Sequence, residues 1–155
     1  MEKLIIASKN KGKINEIREI LKWLPFKIFS MSDAGYDFEI EENGCTFGEN
    51  AMLKAQALFS HIGGMVLADD SGLEVDFLNG APGIYTARFA GEHTSQAEKN
   101  SRISALLSGV DHPYRAARFV CSIAFVSPER SFTVNGVTEG IIAEKPVGSA
   151  GFGYD

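Results

Sequence analysis

Short segments typical of β-strands alternate with segments whose apolar residues recur at helical spacing, and this alternation limits the possible folds more than any other feature. Residues 3–7 (KLIIA) and 27–31 (KIFSM) are predicted strands, since both are short and largely apolar. A helix is predicted between them, from Lys13 until Pro25 ends it. Its apolar positions are Ile14, Ile17, Ile20, Leu21 and Leu24. Strands separated by helices in this way favour an α/β fold.

The alternation continues through the rest of the 155 residues. Two capping boxes, Thr46 with Glu49 and Ser95 with Glu98, predict the starts of two further helices. Further strands are predicted at residues 65–68, 73–78, 116–126 and 132–143. Within the third of these, one apolar face is predicted from Ala117, Phe119, Cys121, Ile123 and Phe125. We therefore expect a single domain, residues 1–155, with an α/β fold in which helices pack on a mixed sheet.

Composition and charge exclude several classes of protein. The formal net charge is −5, so nucleic acid is not an expected partner. No apolar segment approaches the roughly 18 residues needed to cross a bilayer, and no membrane partner is expected. Cys45 and Cys121 have neither metal-binding nor redox spacing. A reduced, cytoplasmic protein is therefore predicted.

The loop at residues 8–13 (SKNKGK) is a candidate phosphate site. It connects a predicted strand to a predicted helix, where open α/β sheets bind ligands. A helix N-terminus offers unpaired N–H groups and the positive end of a dipole. Ser8 and Asn10 add donors, and three lysines add charge. A solvated turn with surface lysines is the alternative, because the loop is not the GxxxxGK[ST] phosphate loop.

Two adjacent carboxylates, Asp69 and Asp70, follow the apolar segment MVLA and are the strongest indication of chemistry. We expect them at the carboxyl edge of the sheet, where a cation would offset their repulsion. Mg²⁺ prefers carboxylate oxygens, water and substrate phosphates, so the basic loop and the acidic pair together suggest Mg²⁺-dependent phosphate chemistry. Turn aspartates, or a nucleotide-binding protein without catalysis, are the alternatives. Lys54 lies one helical turn after Asn50, so both can face the same site.

Five stretches, in order along the chain, resemble the inosine/xanthosine triphosphate pyrophosphatases, the Ham1-like family. They are SKNKGK (8–13), EENGCTFGENAMLKA (41–55), LADDSGLEVDFLNGAPGIYTARFAG (67–91), RFVCSIAF (118–125) and GFGYD (151–155). The resemblance implies a long mixed sheet with flanking helices that form two lobes around a nucleotide cleft. It also implies hydrolysis of ITP, dITP and XTP to the monophosphate and pyrophosphate, a requirement for Mg²⁺, and a homodimer.

The same resemblance implies roles for individual residues. Asp70 would activate water and bind the metal, and Ser71 beside it would contact the substrate. Either Glu41 or Glu42 would supply another carboxylate on the metal side. The phosphate contacts would be Ser8, Asn10, Lys13 and Lys54. The purine-pocket turn would consist of Phe152, Gly153, Tyr154 and Asp155.

One departure from the family and two alternative functions follow from the same comparison of motifs. Family members continue past GFGYD with a Ser-His-Arg motif and a terminal helix, so this chain is expected to lack the C-terminal segment. None of the three histidines of this chain matches the histidine of that Ser-His-Arg motif. They are His61, His93 and His112. A Maf-like pyrophosphatase of other specificity is one alternative, although its N-terminal loop differs from SKNKGK. A nucleotide-binding module without turnover is the other.

Overall fold

The computed structural model describes residues 1–155 as five strands, three α-helices and three short 3₁₀ helices. The strands are β1 (Glu2–Ile6), β2 (Phe26–Ser30), β3 (Met65–Val75), β4 (Ala116–Val126) and β5 (Ser131–Ile141). The α-helices are α1 (Lys11–Leu21), α2 (Phe47–Ile62) and α3 (Gln96–Leu106). The 3₁₀ helices span Asp76–Leu78, Gly83–Arg88 and His112–Tyr114. None of the helices is long and apolar enough to span a membrane.

The strands form one sheet in the order β2-β1-β3-β4-β5. β1 is parallel to both β2 and β3, and Leu4 is paired with Met65 in the second of these ladders. β4 and β5 are neighbours joined by a four-residue turn in which the Ser127 N–H donates to the Arg130 carbonyl. Such a short connection makes β5 run antiparallel to β4. The prediction of an α/β fold with a mixed sheet is confirmed.

The chain forms two compact units, each with its own apolar core. The first comprises Met1–Asp70 and Ser122–Asn135, and the second comprises Ser71–Cys121 and Gly136–Asp155. In the first core, side chains of β3 pack with those of α2: Val66, Ala68, Ala51, Ala55 and Leu58. In the second core, side chains of β3 and β4 pack with those of α3 and its end: Leu73, Val75, Ala117, Ile103 and Leu107.

Both helix starts that the capping boxes predict are present. Thr46 caps α2, and its hydroxyl accepts a hydrogen bond from the Glu49 N–H at 3.1 Å. The Glu49 carboxylate accepts from the Cys45 N–H, one residue before the cap, rather than from the cap itself. At α3, Ser95 and Glu98 make both reciprocal bonds of the capping box. These bonds satisfy N–H groups that helix geometry leaves without partners.

One strand replaces two of the predicted ones, which is the main correction to the sequence analysis. β3 runs without a break through Asp69 and Asp70, so the acidic pair lies inside a strand and not at its carboxyl end. Residues 76–78, predicted as strand, form a 3₁₀ helix. The continuous strand is possible because half-buried lysines from two helices, Lys13 and Lys54, pair with the two carboxylates, and strand propensity cannot anticipate such tertiary contacts.

The predicted apolar face of β4 is correct only at its beginning. Ala117 is buried, but Phe119 is 39% exposed, and farther along the strand the buried residues are Ser122, Ala124 and Val126. The alternation therefore changes phase within the strand. Ser122 tolerates burial because its hydroxyl donates to Asn135 Oδ1 at 2.5 Å.

Arg115 fastens the end of α3 to the chain after β5. Only 4% of Arg115 is exposed, and its guanidinium donates to the carbonyls of Leu107, Ile142 and Ala143 at 2.8, 2.7 and 3.1 Å. These carbonyls lie just after α3 and just after β5, and a planar guanidinium can bind several carbonyls at a time.

We expect Arg115→Lys to lower the free energy of unfolding by about 2–3 kcal/mol, because an ammonium cannot reach the carbonyls of both segments and the buried cation loses hydrogen bonds. Denaturant unfolding measures this effect. Arg102→Lys on the exposed side of α3 is the matched control. Equal loss in the two variants would contradict the role of Arg115.

Candidate active site

The strand geometry of β3 separates its two carboxylates. Successive side chains of a strand point to opposite faces, so Asp69 and Asp70 do not share one side of the sheet. Both are nearly inaccessible to solvent, with 3% and 7% exposed. Two buried carboxylates require positive partners, since an unpaired buried charge is costly.

Asp69 meets a lysine from the phosphate-loop candidate. Lys13 Nζ lies 2.7 Å from Asp69 Oδ2, and the carboxylate side chain is only 4% exposed. Lys13 is in the first turn of α1, which begins two residues earlier than predicted. Asn10 caps this helix by accepting from the Lys13 N–H, and Ser8 accepts from the Asn10 N–H. The loop is therefore ordered by its own hydrogen bonds.

Asp70 meets a lysine from α2. Lys54 Nζ lies 3.4 Å from Asp70 Oδ1 and 3.1 Å from Glu42 Oε1, so one ammonium joins two carboxylates. Glu41 is exposed, whereas Glu42 is half-buried, and Glu42 is the member of the pair that lies beside Lys54. Two adjacent glutamates in an irregular segment gave no sequence signal to distinguish them.

Burial and neighbouring charges shift the pKa values of Asp70 and Lys54 in this cluster. Burial raises the pKa of Asp70 above its ordinary value, and the Lys54 charge offsets this only in part. Burial opposes the charge on Lys54 too, but the carboxylates of Asp70, Asp69 and Glu42 outweigh it and raise the pKa of Lys54. Lys54 therefore stays protonated, while Asp70 holds its charge less readily than a solvated carboxylate does.

The Asp70 cluster fits a magnesium ion. Asp70 Oδ2 is buried and has no hydrogen-bond partner, which leaves one carboxylate oxygen available to a cation. Glu42 is close enough to share Lys54 with it. No group of three or more His, Cys, Asp or Glu side chains is placed to hold a metal alone. Mg²⁺ commonly takes only one or two carboxylates, together with water and substrate phosphates.

Two further residues order the segment beside the cluster. Asn50 is 1% exposed, and its Oδ1 accepts from the Gly44 N–H at 2.8 Å. A Cβ at Gly44 would lie 2.7 Å from that oxygen, so only glycine fits there. Lys9, in the phosphate-loop candidate, is paired with Asp37 and Glu39 at 2.9 and 2.8 Å. The acidic segment is thus attached to both α2 and the loop.

The predicted purine-pocket turn, residues 152–155, lies in the second unit. Its Phe152 N–H donates to Asp155 Oδ2 at 3.1 Å, and the Tyr154 hydroxyl donates to the Thr86 carbonyl at 2.9 Å. Phe152 is 38% exposed. The turn lines a pocket of about 500 Å³, together with Asn100 and other residues of the second unit. Ser71, the first residue of that unit, is half-buried in β3.

Sequence reasoning missed Asn100 and Thr86, which contact the turn from distant parts of the chain. Asn100 Nδ2 donates to the Gly153 carbonyl, and Thr86 supplies a backbone oxygen, which carries no side-chain signature. Polar residues on one side of α3 were the only available signal for the first of them.

We expect Lys54→Met to destabilise the protein by about 3–5 kcal/mol at neutral pH, since it leaves buried carboxylates unpaired. Without the ammonium, the folded-state pKa of Asp70 rises further above its ordinary value. The variant should therefore be most stable below that ordinary value and lose stability as the pH rises through the folded pKa. Denaturant unfolding at several pH values tests this. The double variant Lys54→Met with Asp70→Asn should recover much of the loss, and no recovery would contradict the pairing.

Comparisons with known proteins agree with this architecture. The model of the Ham1 family matches residues 4–155. The dITP/XTP pyrophosphatase of Bacillus subtilis (strain 168) is 45% identical over 156 residues, which cover 100% of this chain and 79% of that protein. The dITP/XTP pyrophosphatase of Listeria innocua is 46% identical, over 100% of this chain and 77% of that protein.

Solved structures give the same result. The Ham1 protein of Staphylococcus aureus superposes with a TM-score of 0.86 at 41% identity, over 99% of this chain and 79% of that one. A HAM1 protein from Coxiella burnetii superposes with a TM-score of 0.87 at 39% identity, over 100% of this chain and 80% of that one. Fold, motifs and sequence identity along its length agree, and the chain belongs to the Ham1 family.

Proposed function

We propose that this protein hydrolyses the non-canonical purine nucleoside triphosphates dITP, ITP and XTP to the monophosphate and pyrophosphate, and so removes them from the nucleotide pool. The observation that carries the proposal is the buried Asp70, which pairs with Lys54 of α2 and has one oxygen without a partner. Its neighbour Asp69 pairs with Lys13 of the phosphate-loop candidate. The names of the relatives, dITP/XTP pyrophosphatases, support the same reaction. The match to residues 4–155 supports treating both units as one Ham1-like domain.

The triphosphate is bound by the start of α1. Ser8, Asn10 and Lys13 lie in the loop and first helical turn, where N–H groups and the helix dipole favour anions. Lys13 is oriented by its ion pair with Asp69, and its side chain is still 23% exposed. Lys54 provides the second phosphate contact from α2.

Asp70 and Glu42 are the residues that would hold Mg²⁺. When bound, the ion screens the charge of the phosphoryl group and makes a water molecule more acidic. The Asp70 carboxylate, whose Oδ2 has no donor in the protein, would accept the proton of the attacking water. Burial raises the pKa of Asp70, and the Lys54 charge lowers that pKa and so favours the ionised form that can act as a base.

The purine base is bound by the 152–155 turn, whose Phe152 has the exposed ring, with Ser71 as a further substrate contact. We also propose that the protein acts as a homodimer in the cytoplasm, where its cysteines, Cys45 and Cys121, would remain without a disulfide. Sedimentation velocity tests the homodimer, since a monomer at micromolar concentration would contradict it.

A panel of nucleotides tests the proposed function directly. Pyrophosphate release is measured with Mg²⁺ for ITP, dITP, XTP, ATP, dTTP and UTP. Preference for the first three supports the proposal. Preference for dTTP or UTP would indicate a Maf-like pyrophosphatase, and binding of ITP without pyrophosphate release would indicate a nucleotide-binding module.

We expect Asp70→Asn to lower kcat for ITP by more than about tenfold, because it removes the charge that binds metal and accepts the proton. The fold should be retained, because Lys54 keeps Glu42 as a partner and the substitution removes a carboxylate whose pKa burial raises. Asp111→Asn, at an exposed position, is the matched control. A variant that keeps more than about a tenth of the parental rate would remove Asp70 from the mechanism.

Lys13 should contribute mainly to triphosphate affinity. Because Lys13 also neutralises a buried carboxylate, we compare Lys13→Met/Asp69→Asn with the single variant Asp69→Asn. We expect the double variant to raise KM for ITP by about tenfold relative to Asp69→Asn, while inosine binding stays unchanged. Lys11→Met in the same helical turn, but exposed, is the control. Equal losses for ITP and inosine would show that Lys13 acts through folding.

A further inference from the structure

We propose that Asn100 and Tyr154 are positioning residues that hold the 152–155 turn in its base-binding shape, with Asn100 bound to the turn backbone and Tyr154 bound to the Thr86 carbonyl. The inference rests on the proposed function, because it assigns base selectivity to that turn. It concerns contacts made away from the base, and all of them lie within the second unit.

The turn needs anchors because its own backbone is permissive. Gly151 and Gly153, on either side of Phe152, have φ of +82° and +63°, in the left-handed region that glycine enters freely. Inside the turn, the Asp155 carboxylate accepts from the Phe152 N–H, and the Asp155 N–H donates to the Phe152 carbonyl. These bonds close the turn on itself but do not attach it to the rest of the unit.

Tyr154 provides the first anchor. Its ring packs against the second core, and its hydroxyl donates to the Thr86 carbonyl at 2.9 Å. Thr86 is itself fixed, because its hydroxyl accepts from the Leu73 N–H of β3 and donates to the Gly83 carbonyl. Burial raises the pKa of Tyr154 to about 12, so the phenol remains a donor throughout the physiological range.

Asn100 provides the second anchor, from α3. Its Nδ2 donates to the Gly153 carbonyl at 3.4 Å, while its Oδ1 accepts from Gln96 Nε2 at 2.8 Å. The bond from Gln96 fixes the orientation of the amide, so that the donor side faces the turn. Two separate elements thus hold one short turn.

The residues of the turn therefore differ in what they contact. The Tyr154 hydroxyl and the Asp155 carboxylate are already engaged in protein contacts, and Phe152 is left with an exposed ring. A turn already held in one conformation loses little conformational entropy when it binds the base. If the turn were loosened, that entropy would be lost on binding, and the loss would affect binding of the base rather than of the phosphates. Loosening the anchors should therefore weaken the preferred base while leaving the hydrolytic step intact.

The experiment compares Tyr154→Phe and Asn100→Asp with matched controls. Tyr154→Phe keeps the ring and removes the hydroxyl, which donates to the Thr86 carbonyl and also interacts with the Gln96 side chain. Tyr114→Phe, at a position 66% exposed, is its control. Asn100→Asp keeps the acceptor for Gln96 and replaces the donor, with Ser101→Asp on the exposed side of α3 adding the same charge. For both variants we expect KM for ITP to rise about fivefold, kcat to change by less than about twofold, and KM for ATP to stay unchanged.

A binding measurement separates this inference from the proposed function. Calorimetric titration with ITP and with ATP in EDTA measures base preference without turnover. If the unsubstituted protein prefers ITP but releases no pyrophosphate with Mg²⁺, the proposed function fails, while loss of the binding preference in the two variants still supports the anchors. Variants with an unchanged ITP/ATP preference, or with equal losses for both nucleotides, would overturn the inference. So would an unsubstituted protein that binds ITP and ATP equally.

Discussion

The pairing of two adjacent buried carboxylates with two separate lysines is the interaction on which the first unit depends. Strand geometry turns Asp69 and Asp70 to opposite faces, and each then has its own partner, Lys13 at 2.7 Å and Lys54 at 3.4 Å. The lysines come from different helices, one in the first turn of α1 and the other about two turns into α2. Charge pairing at β3 therefore links the strand to the helix positions that carry the proposed phosphate contacts.

Stability alone does not explain this arrangement. Replacing buried ion pairs by apolar residues is often neutral or stabilising, since desolvation offsets the attraction between the charges. Asp70 illustrates the cost, because its burial raises its pKa in spite of Lys54, and its Oδ2 has no donor. A buried carboxylate with one unpartnered oxygen is suited to binding a cation or a proton. The apolar core formed by α2 and β3 offsets the free energy that burying this carboxylate costs.

Local signals in the sequence predicted most of the fold but failed where distant residues decide the outcome. Thr46 and Ser95 predicted two helix starts because capping is a contact between near neighbours. Asp69 and Asp70 were expected to end a strand, since aspartate is depleted in strands, and only the distant lysines allow β3 to continue. The same limit applies to Ser122, whose burial depends on Asn135 in the next strand.

Within the candidate site, the sequence shows which side chains carry polar groups but not which of those groups the protein itself uses. The resemblance to the Ham1-like family made Tyr154 and Asp155 candidates for the purine pocket, and both carry polar groups. The structure shows the polar atoms of both already engaged by the protein, one with Thr86 and the other with Phe152. A sequence displays which groups can form hydrogen bonds, but it does not display which bonds folding has already used. The atoms left over are what a ligand meets, and in this protein they include one oxygen of Asp70 and the exposed ring of Phe152. Recognition is therefore set as much by the residues that occupy the other polar atoms as by those that touch the ligand.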